Sequence, residues 1–248
     1  LSKLPVVKYG LRNIEKINSF LKYKEDNCNY YSINGDIKVE NLTYGTYHKI
    51  IKSLSFDIKK GEKVILSGVS GSGKSTLLKL LLKYFTSYEG DIYIDNTNLK
   101  EISSLSIRNS FNYIGQNERL FTDTIINNIT LDRKVDESVL SKILEITHVN
   151  EIINSKGLKE NTFIEENGFN LSGGERQRII LARGLLKAKN YIFIDEALSE
   201  VDYELEKTIV KNILDYFKDK TIIYVSHKNG IEELFDKNII LRRVKNNE

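Results

Sequence analysis

The chain has 248 residues, a length that fits one large domain or two small ones. Apolar residues make up 40% of it and charged residues 29%, which supports a buried core and excludes a disordered or collagen-like chain. The formal net charge is only +3, so we expect no nucleic-acid partner. The single cysteine, Cys28, excludes an intramolecular disulfide, and no run approaches the roughly 18 apolar residues of a membrane-spanning helix.

Residues 1–35 are expected to form a lead-in to the folded domain. Apolar residues recur there at helical spacing among charged ones, which predicts one short amphipathic helix. These residues are Leu11, Ile14, Ile17 and Leu21. The chain begins with Leu1 and contains no methionine, so we expect its N-terminus to be a fragment boundary.

Strand patterns of two kinds follow. Half-buried alternation between glycine turns predicts an antiparallel β layer over residues 37–42, 54–58 and 91–94. Continuous apolar runs predict central parallel strands over residues 63–67, 191–195 and 221–226. Helix-period runs without a convincing strand predict an inserted helical subdomain over about 117–180. The expected fold class is therefore α/β, with residues 36–248 forming the domain.

Residues 68–75 (GVSGSGKS) match the pattern G-x-x-x-x-G-K-[ST], between a predicted strand and a helix predicted over 76–85. The glycines let backbone N–H groups converge on phosphate oxygens, and a helix N-terminus adds partial positive charge. Lys74 is expected to reach the β and γ phosphates of ATP, and Ser75 to bind Mg²⁺. The other expected contacts are Gly68, Ser70, Gly71, Ser72, Gly73 and Thr76. An ordinary glycine-rich turn is the alternative, but the context favours a P-loop NTPase core of the RecA-like kind.

An acidic pair, Asp195 and Glu196, ends the buried run 191–195. The carboxyl end of a central strand is where α/β folds bind their ligands. We expect Asp195 to serve Mg²⁺, largely through water, and Glu196 to accept a proton from the attacking water. In isolation, an acidic pair after a strand usually lies in a solvated loop. Because this pair occurs in a chain with a P-loop, the interpretation as part of the nucleotide site is favoured.

Residues 171–178 (LSGGERQR) resemble the LSGGQ signature of ABC ATPases, and the resemblance extends over about 36–248 with the motifs in the family's order. It implies that the signature turn binds the γ-phosphate of an ATP held by another subunit's P-loop, in a head-to-tail dimer. The implied contacts are Ser172, Gly173, Gly174 and Glu175, where Glu175 replaces the commoner Gln. Taken alone, the run fits a helix N-cap formed by Ser172 equally well.

The resemblance assigns further residues. It implies that Gln116 contacts Mg²⁺ and the attacking water, and that His227 contacts the γ-phosphate. Asp202 ends the segment that resembles the family's D-loop, in which Glu200 and Val201 depart from the commoner residues. That departure concerns communication between subunits rather than hydrolysis.

The tyrosine that stacks on adenine has two candidates. Thr46 occupies the position where the family often has this tyrosine, and Tyr44 and Tyr47 flank it. The spacing to Lys74 favours Tyr44, with Tyr47 as the alternative.

Three segments, 90–95, 105–108 and 120–129, resemble the ATPase domains of exporter-type transporters. Residues 162–168 resemble their T-x-V-x-E-x-G segment, in which Glu166 sits near the membrane domain. The resemblance implies an exporter powered by ATP-driven dimer closure, with a transmembrane domain upstream on the same polypeptide. The domain would act at the cytoplasmic face of the cell membrane.

Peptides such as bacteriocins are our first expectation for the cargo, with lipids and drugs open. An importer's ATPase subunit and a soluble ABC ATPase acting on DNA or ribosomes are alternatives, although the chain has neither heptads nor a repeat. A small-molecule kinase would leave the signature run unexplained.

Overall fold

The structure is a computed structural model that describes residues 28–45, 48–116, 118–155, 163–165, 168–228 and 230–244. The amphipathic lead-in helix expected over residues 11–21 lies outside these ranges. Within them, no helix combines the length and the apolar character needed to cross a membrane.

The elements follow in chain order. The strands are β1 (Ile37–Tyr44), β2 (Ile51–Ile58), β3 (Lys63–Ser67), β4 (Glu89–Ile94), β5 (Thr97–Asn98), β6 (Phe111–Gly115), β7 (Tyr191–Asp195), β8 (Thr221–Val225) and β9 (Lys237–Ile240). The helices are α1 (Lys74–Leu81), α2 (Ser104–Ser110), α3 (Ile125–Thr130), α4 (Glu137–Ile146), α5 (Val149–Ser155), α6 (Gly173–Leu185) and α7 (Tyr203–Tyr216), and a 3₁₀ turn spans Glu232–Leu234.

A five-stranded parallel sheet forms the centre of the domain, in the order β6-β7-β8-β3-β9. Its three predicted strands, β3, β7 and β8, are confirmed. Strand β6 escaped the sequence analysis because Asn112 interrupts its apolar run. In the fold, the side-chain amide of Asn112 donates to the carbonyl of Gly184 at 2.7 Å, which satisfies the buried polar group. Strand β9 escaped it as well, because it is a short edge strand that buries only Ile239 fully.

The second sheet is antiparallel, as the alternating patterns predicted for β1, β2 and β4. Its order is β2-β1-β4-β5. It packs with α1 on one face of the parallel sheet, in a core that includes Val64, Leu66 and Phe193. The opposite face buries Ile65, Ile192 and neighbouring residues against α6, α7 and the helical region. Because successive side chains of a strand point to opposite faces, each central strand contributes to both cores.

The inserted region is helical in its described part, with α3, α4 and α5 between β6 and α6. The one strand-like contact there is an isolated bridge between Thr124 and Phe163. The predicted helix over 76–85 begins two residues earlier and ends at Leu81, and Lys83 then adopts a positive φ of 58°. The predicted α/β fold class is thus confirmed, while the bounds of the helical subdomain stay a prediction.

Helix α6 lies against β6 at a glycine. A methyl group placed on Gly184 would lie 2.5 Å from Cγ1 and 2.6 Å from Cδ1 of Ile114. Alanine normally stabilises a helix interior relative to glycine by about 1 kcal/mol. Here the overlap prevails, so we expect Gly184→Ala to lower the free energy of unfolding by about 1–2 kcal/mol in urea titrations.

The same change in an Ile114→Ala background is the matched control. With the isoleucine removed, Gly184→Ala should become neutral or stabilising. A higher urea midpoint for Gly184→Ala alone would show that α6 and β6 do not depend on this close approach.

Candidate nucleotide-binding site

The loop between β3 and α1 has a backbone that glycine makes accessible. Gly68, Gly71 and Gly73 all have positive φ, at 138°, 75° and 97°. A Cβ on Gly68 would lie 2.2 Å from the carbonyl oxygen of Leu241, so both the conformation and the space demand glycine. Gly73 caps α1 without a side-chain hydrogen bond, which leaves the backbone N–H groups of the first turn open to an anion.

Lys74 is folded back into this loop. Its side chain is buried, and its ammonium donates to the carbonyl oxygens of Gly68 at 2.8 Å and Val69 at 3.3 Å. Burial lowers the pKa of Lys74 because it strips water from the charged form, and the nearby carboxylates of Glu196 and Asp195 oppose that shift. A polyphosphate in the loop would add strong negative charge to the same ammonium.

Asp195 lies at the end of β7, directly behind the loop. Its carboxylate accepts hydrogen bonds from the hydroxyl of Ser75 at 3.0 Å and from the phenol of Tyr113 at 2.9 Å. Burial, together with the charge of Asp195, raises the pKa of Tyr113 above its usual range. Tyr113 could not be predicted as part of the site from the sequence, because only the pairing of β6 with β7 places its side chain beside Asp195.

Glu196 and His227 form the other wall of the site. Nε2 of His227 lies 2.6 Å from Oε1 of Glu196, and Nδ1 lies 3.5 Å from the ammonium of Lys74. Glu196 adopts a left-handed backbone conformation with φ of 55°, and its N–H donates to the carbonyl of Val225 at 3.1 Å. Such a backbone costs about 1–3 kcal/mol, so the surrounding fold holds this carboxylate in place.

The donors present suit Mg²⁺ that arrives with phosphate. No group of three or more His, Cys, Asp or Glu in the described ranges could hold a metal ion by itself. Mg²⁺ is typically bound through one or two carboxylates, substrate phosphates and water, and Ser75 with Asp195 supplies hard oxygen ligands of this kind. In the same loop, the buried hydroxyl of Ser72 finds no hydrogen-bond partner among the described residues, as a group that awaits a phosphate oxygen would.

The signature run is a capped helix start. The hydroxyl of Ser172 accepts from the N–H of Glu175 at 3.3 Å, and the carboxylate of Glu175 accepts from the N–H of Ser172 at 2.7 Å. This reciprocal pair is a capping box, so the N-cap reading of the sequence is confirmed. It is compatible with an anion at the same helix end.

The loop after Glu196 packs on the signature helix. The amide of Gln177 donates to the hydroxyl of Ser199 at 2.9 Å and accepts from the N–H of Glu200 at 2.8 Å. A Cβ on Gly173 would lie 1.7 Å from Oε2 of Glu200, so the departure from the family pattern at this position lies directly on the signature turn.

The structure brings together one group of predicted residues and leaves the others apart. The group around the loop is Lys74, Ser75, Asp195, Glu196 and His227. Gln116 is exposed and lines a different cavity of about 310 Å³, together with Gly173 and Glu200. Asp202 caps α7 by accepting from the N–H of Glu204 at 3.0 Å. The roles assigned to Gln116, Asp202 and the signature turn stay predictions.

Tyr44 stacks on Phe85, with ring centroids 5.2 Å apart. The two rings line a cavity of about 460 Å³ to which residues 68–75 do not contribute. The choice between Tyr44 and Tyr47 as the adenine contact stays a prediction. Tyr47 and Glu166 lie outside the described residues.

The comparisons with known proteins agree with this geometry. The family model described as ABC transporter matches residues 51–199, which is more than half of the chain. The chain belongs to the ABC transporter family. The chain is an ATPase, because it belongs to this family and is related to an ATP-binding transport protein.

Curated relatives of this ABC transporter domain are named for lipid flipping and for transport. It is 34% identical over 212 residues to an ATP-dependent lipid A-core flippase of Francisella tularensis, covering 84% of this chain and 35% of the relative. It is 34% identical over 245 residues to the lactococcin-G-processing and transport ATP-binding protein LagD of Lactococcus lactis, covering 97% of this chain and 35% of the relative.

A solved structure, titled as a bacterial Atm1-family ABC exporter with ATP bound, aligns with a TM-score of 0.82 at 25% identity. The alignment covers 96% of this chain and 44% of that one. The chain therefore spans about a third of the length of these curated relatives and less than half of the solved chain.

The capping box gives a test of the signature turn. Ser172→Ala removes one of its two hydrogen bonds and should lower the free energy of unfolding by about 1 kcal/mol in urea titrations. Glu175→Gln keeps an acceptor at the same position, so it should change stability by less than about 0.5 kcal/mol. Equal losses for the two variants would contradict this division of roles.

Proposed function

We propose that this chain is the ATP-hydrolysing motor of a membrane exporter. The observation that carries the proposal is the meeting of Lys74, Glu196 and His227 at the mouth of the P-loop. A buried ammonium, a carboxylate and an imidazole there match the needs of phosphoryl transfer to water. The exporter relatives support the choice of transporter class.

Each residue then has a defined task. The backbone N–H groups of the P-loop and the ammonium of Lys74 bind and orient the triphosphate of ATP. Ser75 and Asp195 would hold Mg²⁺, which supplies charge neutralisation at the β and γ phosphates. Glu196 accepts the proton of the attacking water, and His227 fixes the orientation of that carboxylate through its 2.6 Å contact.

The site is completed by a second ATPase domain. The signature turn and the P-loop line different cavities of the chain, which supports a site shared between two chains. Its helix N-terminus, with Ser172 and Gly174, suits an anion presented by another chain. In a head-to-tail dimer each ATP would join two domains, and hydrolysis would release the joint.

The motor would act on a transmembrane domain upstream on the same polypeptide. The chain spans only about a third of its exporter relatives, which leaves room for such a domain. Exposed phenylalanines of the helical region, Phe121, Phe163 and Phe169, offer apolar surface for docking at the cytoplasmic face of the cell membrane. For the cargo we propose a peptide, because LagD is aligned with 97% of this chain and is named for lactococcin-G processing and transport.

Glu196→Gln tests the assigned chemistry. The amide keeps the shape of the side chain but accepts a proton far less readily, so ATP turnover should fall by about 10²-fold or more. Binding of a fluorescent ATP analogue should persist, and sedimentation velocity should show an ATP-dependent dimer. Lys74→Ala is the contrasting variant, in which nucleotide binding itself is lost. Turnover by Glu196→Gln at the parent rate would refute the role of this carboxylate.

The adenine contact is tested by paired leucine variants. Phe85 covers one face of the Tyr44 ring, and residues 68–75 do not line the cavity at that ring, so we propose Tyr47 as the adenine contact. Tyr47→Leu should raise the dissociation constant of an adenine nucleotide about tenfold, the scale of one aromatic-base stack. Tyr44→Leu keeps apolar bulk against Phe85 and should bind like the parent. The reverse result in fluorescence titrations would return the role to Tyr44.

A further inference from the structure

A buried carboxylate outside the phosphate site has no part in the mechanism above. Glu206 lies in the first turns of α7, and its side chain is 2% exposed. Oε1 accepts from the phenol of Tyr224 at 2.7 Å and from the hydroxyl of Ser226 at 3.2 Å. Burying a carboxylate is costly unless donors or cations compensate it, so this set of partners needs an explanation.

The compensating cation is Lys228, the residue after His227. Its ammonium lies 2.8 Å from Oε2 of Glu206, outside hydrogen-bonding alignment, so the contact is chiefly one of charge. The same ammonium donates to the carbonyl oxygens of Val201 and, at 3.4 Å, Leu198. Lys228 therefore joins three segments at one point: the His227 loop, α7 and residues 198–201.

One of the two loops that it joins contacts the phosphate site, and the other contacts the signature helix. Residues 226–228 hold His227 against Glu196, and the N–H of Lys228 donates to the hydroxyl of Ser226 at 3.0 Å. Residues 199 and 200 are bonded to Gln177 of the signature helix. Between the loops lies a cavity of about 70 Å³, lined by Glu196, Ser199 and His227 among others, so the ammonium bridges a gap that packing does not fill.

We propose that Lys228 is a positioning residue for ATP hydrolysis. Anchored by the buried carboxylate of Glu206, it locks the His227 loop to residues 198–201, which lie on the signature helix. The orientation of His227 toward Glu196 then depends on the conformation of the loop that touches the signature turn. This gives one chain a physical connection between the surface that meets a second subunit and the residues that activate water. The inference rests on the proposed function and adds a residue to its machinery.

Hydrogen exchange tests the connection without relying on activity. Lys228→Met keeps most of the aliphatic side chain but removes the ammonium. The amides of Ser199, Glu200 and Val201 are hydrogen-bonded in the structure, so their exchange measured by mass spectrometry should become at least several-fold faster in this variant.

Lys207→Met is the matched control for the exchange experiment. Lys207 is on the same helix as Glu206 and pairs with Glu233 on the surface at 2.6 Å, away from both loops. This variant should exchange like the parent over 198–202. Parent-like exchange there in Lys228→Met, or a uniform acceleration along the whole chain, would overturn the proposal.

Steady-state kinetics test the consequence for hydrolysis. Lys228→Met should lower kcat for ATP about tenfold while KM stays within about twofold of the parent, since the P-loop is untouched. Lys228→Arg keeps the positive charge and should retain most of the turnover. Unchanged kcat in Lys228→Met, or a matching loss in Lys228→Arg and Lys207→Met, would overturn the positioning role.

Glu206→Gln guards against a folding defect of the lysine variant. If Glu206 and Lys228 act as one unit, the double variant Glu206→Gln/Lys228→Met should lose no more turnover than the less active of the two single variants. Independent effects would multiply in the double variant and count against the proposal. A parent chain without ATP hydrolysis would refute the proposed function instead, and the exchange comparison would still decide whether Lys228 connects the loops.

Discussion

Everything at the phosphate site depends on one buried ammonium and the backbone that accommodates it. The charge of Lys74 is withdrawn from water and met by carbonyl oxygens of its own loop, at 2.8 Å from Gly68 and 3.3 Å from Val69. The loop that presents those carbonyls takes positive φ values at its glycines, which glycine adopts without steric cost. The result is a preorganised cationic cradle, and such fixed charges stabilise a transferring phosphoryl group without reorganising during the reaction.

The parallel sheet supplies the other groups by its strand order. Since β8 lies between β3 and β7, the P-loop, the acidic pair and His227 all lie at the carboxyl ends of neighbouring strands, on the same end of the sheet. Both faces of these strands are buried, one against α1 and the antiparallel sheet and the other against α6 and α7. This burial on both faces holds the carboxyl ends of the strands firmly enough to keep Glu196 in an unfavourable backbone conformation.

Local motifs made much of this arrangement predictable. The P-loop, the acidic pair and the Ser172 cap each occupy a few consecutive residues whose backbone chemistry is set by their own side chains. The central strands β3, β7 and β8 could also be predicted, because each is a nearly continuous apolar run. The contacts that could not be predicted from the sequence depend on pairing between distant segments. Tyr113 meets Asp195 only through the β6–β7 register, and Lys228 reaches Glu206 only because α7 packs beside the end of β8.

The cap of the signature helix has a chemical consequence of its own. Four residue types are good helix caps, but Asp and Asn would offer only a carboxylate or an amide at this turn. A hydroxyl differs because its one oxygen can accept a hydrogen bond from the helix while its O–H donates another. The oxygen of Ser172 accepts from the N–H of Glu175, so in the proposed shared site its O–H would be the group that donates to the anion. In the proposed shared site, serine would cap the helix and bind the anion through the same atom, where an aspartate would repel that anion.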